Sequence, residues 1–315
     1  MVNLCPRAAL ILLVSIFLLS CAETAEVRPA NAVTTRDTEV AKLKKVRDAL
    51  VPFYQPMQVR RGDWLTSQTE RGETFEEYMA SDPTLPTADR RTIYIQPIGT
   101  FTAEQSDAID LAAEYMRAYY DLPVKLQKAR PLGDVPKAKQ RFVDRDNRNR
   151  QILTSYFIDD VLPGLMPEDA AALIAFTNFD LYPEPTWAFV FGQASLDKRV
   201  GVWSLYRFAD PKTRKYEPEQ LVTRTLKIAM HETGHMFSMR HCTKYECLMA
   251  GTNSVAETDR RPLDNCPECT AKLAWAMKYD PAERYTKLAA FWKKQGRADE
   301  AKAMLDKKRA VDKVK

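Results

Sequence analysis

The feature that most constrains this chain is the segment HETGHMFSMRHC, from His231 to Cys242, which contains all three histidines of the 315 residues. His231 and His235 are four positions apart, so on a helix their side chains lie on one face and can bind the same ion. The preceding LVTRTLKIAM has the apolar pattern of a helix, which we predict from about Pro218 to Phe237. His241 lies six residues beyond His235 and cannot share that face, so the chain must turn to bring it back.

Three histidines and a glutamate in this arrangement predict a catalytic type of zinc site. Zinc in hydrolytic sites takes three protein ligands and keeps a fourth position for water, whose pKa falls to about 7. We predict that the three histidines bind this zinc and that Glu232 accepts a proton from the water. H-E-x-x-H is the helix motif of zinc peptidases, and His241 has the spacing of the longer motif H-E-x-x-H-x-x-G-x-x-H. The alternative is a pair of surface histidines on an amphipathic helix.

Ser238 stands where the longer motif has glycine. Glycine favours a turn there because it adopts a positive φ without steric cost, whereas serine is strained by about 1 kcal/mol. Zinc binding contributes about 10 kcal/mol or more in structural sites. We therefore expect the strain to loosen the third ligand and reduce activity without abolishing the site, and loss of the metal is the less favoured alternative.

Four cysteines after the motif form two short-spaced pairs, Cys242 with Cys247 and Cys266 with Cys269. Two such pairs suit a closed tetrahedral Cys₄ zinc site, so the sequence predicts a second, structural zinc ion. Disulfides between the pairs are the alternative if the compartment is oxidising. A redox role for the C-x-x-C pair ranks third, because nothing else in the chain resembles thioredoxin.

The N-terminal residues predict export and a lipid anchor. Arg7 precedes an apolar stretch from Ala8 to Leu19 that is too short to span a bilayer, as in a secretory signal. The LLSC that ends at Cys21 resembles the lipobox of bacterial lipoproteins, in which the cysteine is lipid-modified and becomes the first residue. Because Ala22 and not aspartate follows, the resemblance favours the outer membrane, facing the periplasm. An ordinary signal peptide cut near Ala22 or Ala25 is the alternative.

Charge and composition exclude other classes of protein. The net charge of +5 comes from lysines and arginines spread along the chain, which does not indicate nucleic-acid binding. A hydrophobic content of 45% is enough for a sizeable core, and only ten glycines without repeats argue against a fibrous or disordered chain. We expect a globular monomer that is attached to a membrane only through its lipid.

The order of the predicted elements is typical of a mixed α/β (α+β) sheet with helices packed against it. Apolar residues at helical spacing predict helices, β-branched and aromatic runs predict strands, and Thr102 to Gln105 fits a capping box. The predicted strands are 91–99, 124–132, 172–182, 187–195 and 200–208, the last two forming a hairpin. The predicted helices are 41–54, the helix that follows the capping box, 150–162 and 218–237.

Together, the histidine and cysteine spacings resemble the archaemetzincins, which are metzincin-like metalloproteases with a second, structural zinc. The residues that match their pattern, H-E-x-x-H-x-x-G-x-x-H-C-x₄-C-x-M and then C-x-x-C, are His231, Glu232, His235, His241, Cys242, Cys247, Met249, Cys266 and Cys269. Ser238 is the one departure. GDWL, ETFEEY, RTIYIQPIG, FVFGQAS and WSLYRF extend the resemblance more loosely, over about Arg61 to Ala274.

The resemblance implies a zincin-like fold, a twisted mixed sheet with an active-site helix. In it, His231, His235 and His241 would bind catalytic zinc and the four cysteines structural zinc. Glu232 would be the general base. Met249 would belong to the Met-turn beneath the site, although core packing also explains a methionine there. WAFVFGQAS would be the antiparallel edge strand of the cleft, along which a peptide could add as one more strand.

Five segments are predicted along the chain. They are a lipoprotein signal peptide (1–21), a flexible tether (22–40), an N-terminal extension (41–90), the zinc protease domain (91–275) and a C-terminal helical hairpin (276–315). The hairpin has two predicted helices hinged at Gly296 and looks like one tetratricopeptide unit. Because one such unit cannot bury its own face, we expect it to pack on the domain, with a partner protein as the alternative.

The sequence therefore predicts a zinc peptidase of the bacterial cell envelope that hydrolyses peptide or protein substrates, with Glu232 as general base. The alternative is a weak or inactive, zinc-stabilised binding or scaffold lipoprotein. Ser238 and the hairpin favour that alternative, and the retained Glu232 argues against it. A chaperone or redox role of the cysteines ranks third.

Overall fold

The computed structural model describes residues 30–143, 149–210, 212–213 and 215–314. The predicted signal peptide, Cys21 and the tether up to residue 29 lie outside these residues. The chain divides into two units, residues 1–38 and 39–315, and the described part of the first unit is helical. Among the described residues, no helix combines the length and the apolar character needed to cross a membrane.

Helices and strands follow one another along the described chain. The helices are α1 (Ala30–Leu50), α2 (Trp64–Ser67), α3 (Phe75–Ala80), α4 (Ala103–Tyr120), α5 (Pro218–Met236), α6 (Val255–Arg260), α7 (Pro267–Met277), α8 (Pro281–Lys294) and α9 (Ala298–Asp312). The strands are β1 (Thr92–Ile98), β2 (Val124–Leu126), β3 (Gln140–Phe142), β4 (Arg150–Leu153), β5 (Ala170–Thr177), β6 (Asp180–Tyr182), β7 (Gly192–Ala194) and β8 (Val200–Ser204).

Strand β5 lies at the centre of a five-stranded sheet of order β2-β1-β5-β8-β7. The strands are parallel except for β7, which pairs antiparallel with β8 at one edge. All eight residues of β5 are buried, as expected for a parallel strand covered on both faces. Ile174 and Phe176 belong to the core that contains α4 and α5, whereas Leu173 and Ala175 belong to a second apolar cluster. The predicted mixed α/β architecture is confirmed.

The prediction of one helix over 150–162 is wrong in its first part. Residues Arg150–Leu153 form β4, and a helical segment of π type is confined to Tyr156–Val161. The strand is stabilised because the buried Gln151 donates its amide to Asp180 Oδ2 at 2.8 Å and to the carbonyl oxygen of Ala188 at 2.9 Å. Strand β4 pairs with β3 and β6 in a separate three-stranded sheet, which the sequence did not predict.

Four predicted strands are shorter or divided in the structure. The predicted strand 124–132 is reduced to Val124–Leu126 and the predicted strand 200–208 to Val200–Ser204. The segment 172–182 contains β5 and β6, which belong to different sheets. Strand β6 begins at Asp180, whose buried carboxylate forms an ion pair with Arg207 at 2.8 Å. This ion pair holds the start of β6 away from the sheet that contains β5. In the predicted strand 187–195, the ladder with β8 covers only Gly192–Ala194, and Val190 forms an isolated bridge with Leu181.

The helices agree better with their predictions. Both hydrogen bonds of the predicted capping box are present at the start of α4. The side chain of Thr102 accepts from the N–H of Gln105, and the side chain of Gln105 accepts from the N–H of Thr102. Helix α5 begins at Pro218, as predicted, and ends one residue earlier, at Met236. Helix α1 starts at Ala30 and so extends further toward the N-terminus than the predicted start at Ala41. Helices α8 and α9 form the predicted hairpin around Gly296, whose φ is +72°.

Candidate metal centre

Helix α5 and the turn after it bring the three histidines together. The Nε2 atoms of His231 and His235 lie 3.0 Å apart, and one ring nitrogen from each of the three histidines lies within 4.8 Å of the others. Ser238 has a φ of +61°, which reverses the chain beyond α5 and returns His241 to the other two. Three nitrogen donors grouped in this way fit zinc as it is bound in hydrolytic sites.

Each histidine also has an oxygen atom close to Nδ1. The distances are 2.8 Å from His231 Nδ1 to Leu248 O, 2.6 Å from His235 Nδ1 to Met239 O, and 2.9 and 3.0 Å from His241 Nδ1 to the two carboxylate oxygens of Glu70. An oxygen acceptor at Nδ1 places the proton there and leaves the lone pair of Nε2 for a metal. The three rings are therefore oriented with Nε2 available.

Burial keeps two of the rings in the form that binds metal. Burial, together with the neighbouring His241, lowers the pKa of His231 to about 3. Burial and the other two imidazoles hold the pKa of His235 well below its ordinary value. Both rings are therefore neutral at pH 7, as metal binding requires. For Glu70, burial is the largest single effect and raises the pKa, but His241, Trp64 and His231 together outweigh burial, so the pKa is lowered.

Glu232 lies beside the histidines in an apolar setting. Its side chain is buried, and burial raises the pKa of the carboxyl group to about 8. A cation bound at the histidines would lower this pKa, because a nearby positive charge favours the carboxylate. A Cβ placed on Gly192 would lie 2.9 Å from Glu232 Oε1 and 2.8 Å from Trp203 Cβ, so the glycine in β7 makes room for this carboxyl group.

Met249 packs beneath the histidine-bearing helix. It is buried, and a Cβ placed on Gly234 of α5 would lie 2.5 Å from its Sδ atom. The carbonyl oxygen of Met249 accepts a hydrogen bond from the backbone N–H of Cys242 at 2.8 Å. This contact joins the segment below the helix to the chain just after His241.

The four cysteines form a second cluster of possible ligands. Their Sγ atoms lie within 4.8 Å of one another and all four side chains are buried. The sulfurs of Cys242 and Cys266 are 3.6 Å apart. A tetrahedral zinc with Zn–S bonds of about 2.3 Å places its sulfurs about 3.8 Å apart, whereas a disulfide requires about 2.05 Å. The spacing fits a shared metal ion better than the alternative of disulfides.

A cleft of about 1120 Å³ runs past the histidines and is bordered by the edge strand β7. Trp64 of α2 and Trp187, which precedes β7, both line the cleft, and their ring centroids lie 6.0 Å apart. Trp64 also contacts the ring of His241 edge-on, at 5.2 Å. The predicted position of β7 as the antiparallel edge strand of the cleft is confirmed.

The structure brings the predicted residues together in two groups, one with the three histidines and Glu232 and one with the four cysteines. Cys21 lies outside the described residues. The sequence did not predict the contributions of Glu70, Trp64 and Trp187 to the histidine site. Glu70 and His241 are 171 positions apart, and no spacing rule connects residues over such a distance.

Comparison with known proteins shows which family this chain is similar to. The family model described as "Peptidase family M54" matches residues 168–275. Archaemetzincin-2 of Macaca fascicularis is 38% identical over 261 residues, which cover 72% of this chain and 71% of the relative. Archaemetzincin-1 of Homo sapiens is 29% identical, over 73% of this chain and 52% of the relative.

A solved structure is also similar to this chain. The crystal structure of an archaemetzincin from Methanopyrus kandleri superposes with a TM-score of 0.50 and 29% sequence identity. The match covers 62% of this chain and 99% of that one. The fold that the sequence resemblance implied is therefore confirmed.

Proposed function

We propose, on the premise that this chain belongs to the archaemetzincin family and is a zinc metallopeptidase, that it hydrolyses peptide bonds at the histidine cluster with Glu232 as general base. The observation that supports this most is the convergence of three histidine nitrogens next to one buried carboxyl group. No other carboxyl group on α5 has this combination of burial and position. The same proposal assigns His231, His235 and His241 to catalytic zinc and the four cysteines to structural zinc, two ions per chain.

The residues of the chain have separate tasks in this reaction. Zinc, when bound, supplies an acidified water and polarises the carbonyl of the scissile bond. The carboxylate of Glu232 takes a proton from the attacking water and returns it to the nitrogen of the leaving amine. The apolar setting of Glu232 suits both steps, because a pKa that lies closer to neutrality than that of an exposed glutamate lets the group accept and donate the proton. No covalent bond to the protein is needed.

The edge strand offers a way to hold the substrate. Strand β7 borders the cleft and pairs on one side only, with β8. An extended peptide can add to such an edge through its backbone, largely without regard to its side chains. We propose that the peptide lies along β7 with its scissile carbonyl next to the histidines. Gly192 then brings the backbone of β7 close to Glu232.

The first prediction concerns Glu232→Gln. This variant keeps the volume of the side chain but cannot take up the proton, so we expect full zinc content with hydrolysis reduced by about 10²-fold or more. Cleavage of a peptide library, followed by mass spectrometry, measures the loss. Glu219→Gln, at an exposed position of the same helix, is the control and should cleave as the unaltered protein does.

Full activity of Glu232→Gln would exclude Glu232 as the base. Unaltered protein that holds zinc at both sites but cleaves nothing in the library would favour the scaffold alternative. The zinc content is measured by mass spectrometry of the metal, on protein purified from periplasm without added metal.

We further propose that the protein is a monomeric lipoprotein of the cell envelope, lipid-modified at Cys21 and facing the periplasm. The support is in the sequence alone, in the apolar stretch from Ala8 to Leu19 and the LLSC that ends at Cys21. Globomycin, which blocks lipoprotein signal peptidase, should accumulate the unprocessed precursor. An unchanged processing pattern would exclude the lipid anchor, and a dimer in light scattering would exclude the monomer.

A further inference from the structure

We propose that Glu70, in the N-terminal extension, is a positioning residue for the third zinc ligand, His241. The inference rests on the proposed zinc site. Both carboxylate oxygens of Glu70 lie within 3.0 Å of His241 Nδ1. By accepting the proton of Nδ1, Glu70 holds the ring in one tautomer and directs Nε2 toward the metal.

His241 is the only one of the three histidines whose Nδ1 depends on a side chain. The acceptors of His231 and His235 are the backbone oxygens of Leu248 and Met239. Those two rings also share a regular helix, which fixes where their Cα atoms lie. His241 lies in an irregular segment beyond the turn at Ser238, so its ring has fewer local constraints and gains more from an acceptor that is held in place.

The segment that carries Glu70 is docked against the segment that carries His241. Gly72 has a φ of +73°, and a Cβ placed on it would lie 2.4 Å from Thr243 Oγ1. The hydroxyl group of Thr243 donates to the carbonyl oxygen of Arg71 at 3.2 Å. The side chain of Thr243, two residues beyond His241, therefore packs directly on the backbone of Arg71 and Gly72, just beyond Glu70.

Backbone pairing earlier in the extension continues this docking. The N–H of Met57 donates to Lys244 O at 3.1 Å, and the N–H of Glu246 donates to Gln55 O at 2.9 Å. Later in the extension, the N–H of Phe75 donates to the buried carboxylate of Glu268 at 2.7 Å. Glu70 is thus fixed between two anchored stretches of chain, as a positioning residue must be.

Trp64 is a second residue of the extension that restrains the ring of His241. The two rings meet edge-on at an interplanar angle of 80°. The indole is itself wedged against Gly251, where an added Cβ would lie 2.6 Å from two of its atoms. With Trp64 beside the ring and Glu70 at Nδ1, the extension completes the site. Removal of the extension would leave His241 without its Nδ1 acceptor.

Nuclear magnetic resonance of protein labelled with ¹⁵N-histidine tests the inference directly. The chain has three histidines, so untagged protein shows only the three rings of the site. In zinc-loaded protein we expect the proton of His241 on Nδ1 and the metal on Nε2. Glu70→Gln keeps an acceptor oxygen but loses the charge, so the Nδ1–H signal of His241 should move while those of His231 and His235 stay.

Zinc affinity, measured by competition with a chelator, gives a second readout. Glu70→Leu keeps the bulk of the side chain and removes the acceptor, so we expect the affinity of the histidine site to fall by about 10- to 100-fold. Glu70→Gln should recover most of that loss. Glu76→Gln, a surface glutamate of the same segment that pairs with Lys44 and Arg47, is the matched control and should change neither readout.

Two results would overturn the inference. One is a zinc-loaded His241 with its proton on Nε2, and the other is a Nδ1–H signal that Glu70→Gln leaves in place. If Glu70→Leu does not fold, the signal of His241 in Glu70→Gln decides alone. If no ring signal responds to zinc, the proposed zinc site itself fails. If all three respond but His241 is indifferent to Glu70, only the present inference fails.

Discussion

At the scale of single residues, Ser238 shows how one substitution in a motif is accommodated. Its φ of +61° is the strained conformation predicted for this position. Its hydroxyl group accepts a hydrogen bond from the N–H of Thr84 at 2.9 Å and donates one to Leu196 O at 2.8 Å. Each such bond contributes about 0.5–1.5 kcal/mol, so together they offset a strain of about 1 kcal/mol.

This balance predicts different effects for two substitutions of Ser238. Ser238→Gly loses both hydrogen bonds but relieves the strain, so its free energy of unfolding should stay within about 1 kcal/mol of the original. Ser238→Ala loses the bonds and keeps the strain, and should be destabilised by about 1–3 kcal/mol. Urea unfolding of zinc-loaded protein measures both. If Ser238→Ala is as stable as the original protein, the hydroxyl group does not compensate for the strain; if it is as stable as Ser238→Gly, the positive φ carries no strain.

Gly192 gives a second prediction at this scale. A Cβ on this residue meets Trp203 Cβ and Glu232 Oε1 at distances below 3 Å, so Gly192→Ala must move the strand or the carboxyl group. We expect the zinc content to be unchanged and kcat/KM to fall by about 10-fold or more, because a displacement of 1 Å at a reacting group is costly. Gly164→Ala, where an added Cβ meets nothing within 4 Å, is the control. Normal activity of Gly192→Ala would contradict the close approach of Glu232.

At the scale of elements, a buried ionic cluster attaches the C-terminal hairpin. Asp264, in the loop before α7, pairs with Arg284 of α8 at 3.1 Å and with Lys307 of α9 at 2.7 Å. Tyr54, from the N-terminal extension, donates its hydroxyl proton to the same carboxylate at 2.6 Å. Arg284 also donates to the carbonyl oxygen of Tyr119 in α4 at 2.9 Å. The hairpin therefore packs on the rest of residues 39–315, as its sequence led us to expect.

The cluster predicts a loss of stability in acid. Burial by itself raises the pKa of Asp264, but Lys307 and Arg284 outweigh burial and lower it from 3.8 to about 2. A lowered pKa stabilises the fold above the unfolded value, so about 2 kcal/mol is present above pH 4 and is lost as the pH falls from about 4 to 2.

Asp264→Asn tests this at two pH values. The variant leaves two buried cations without their partner, so its free energy of unfolding at pH 7 should fall by about 3 kcal/mol or more. Its stability should also change less than that of the original between pH 4 and 2. Asp299→Asn, at an exposed position in the first turn of α9, is the control. Parallel pH profiles for Asp264→Asn and the original would exclude Asp264 as the titrating group.

At the scale of the whole molecule, the two clusters of ligands share one stretch of chain. Cys242 directly follows His241, and Leu248, whose carbonyl oxygen accepts from His231, directly follows Cys247. A metal ion at the cysteines would hold both ends of the segment 242–247, and with it the two contacts that orient His231 and His241. We therefore expect the structural ion to support the histidine site.

Cys269→Ser tests this coupling. We expect the loss of one zinc per chain, a lower melting temperature and a histidine site that releases its zinc more readily to a chelator, by about 10-fold. Ala271→Ser, which places the same hydroxyl group two positions along α7, is the control and should retain both ions. Unchanged retention of zinc at the histidines in Cys269→Ser would show that the two sites are independent.

Several elements could be predicted because their determinants are local. The capping box of α4, the helix α5 and the hinge at Gly296 follow from residues a few positions apart. Segment 150–162 could not be predicted correctly, because β4 depends on hydrogen bonds of Gln151 to Asp180 and Ala188, 29 and 37 positions away. Apolar runs of this length suit a strand or a helix equally well, and only the partner decides.

The sequence by itself determined which groups can bind metal, because histidine and cysteine spacings of three to six residues constrain a helix and two turns. It also determined that Ser238 would adopt a positive φ. The tertiary structure alone decided that Glu70 is the acceptor for His241, that Gly192 makes room for Glu232 and that Trp64 lies next to Trp187 in the cleft. Those contacts join residues far apart in the chain, and they exist only because packing of the whole fold brings their backbones together.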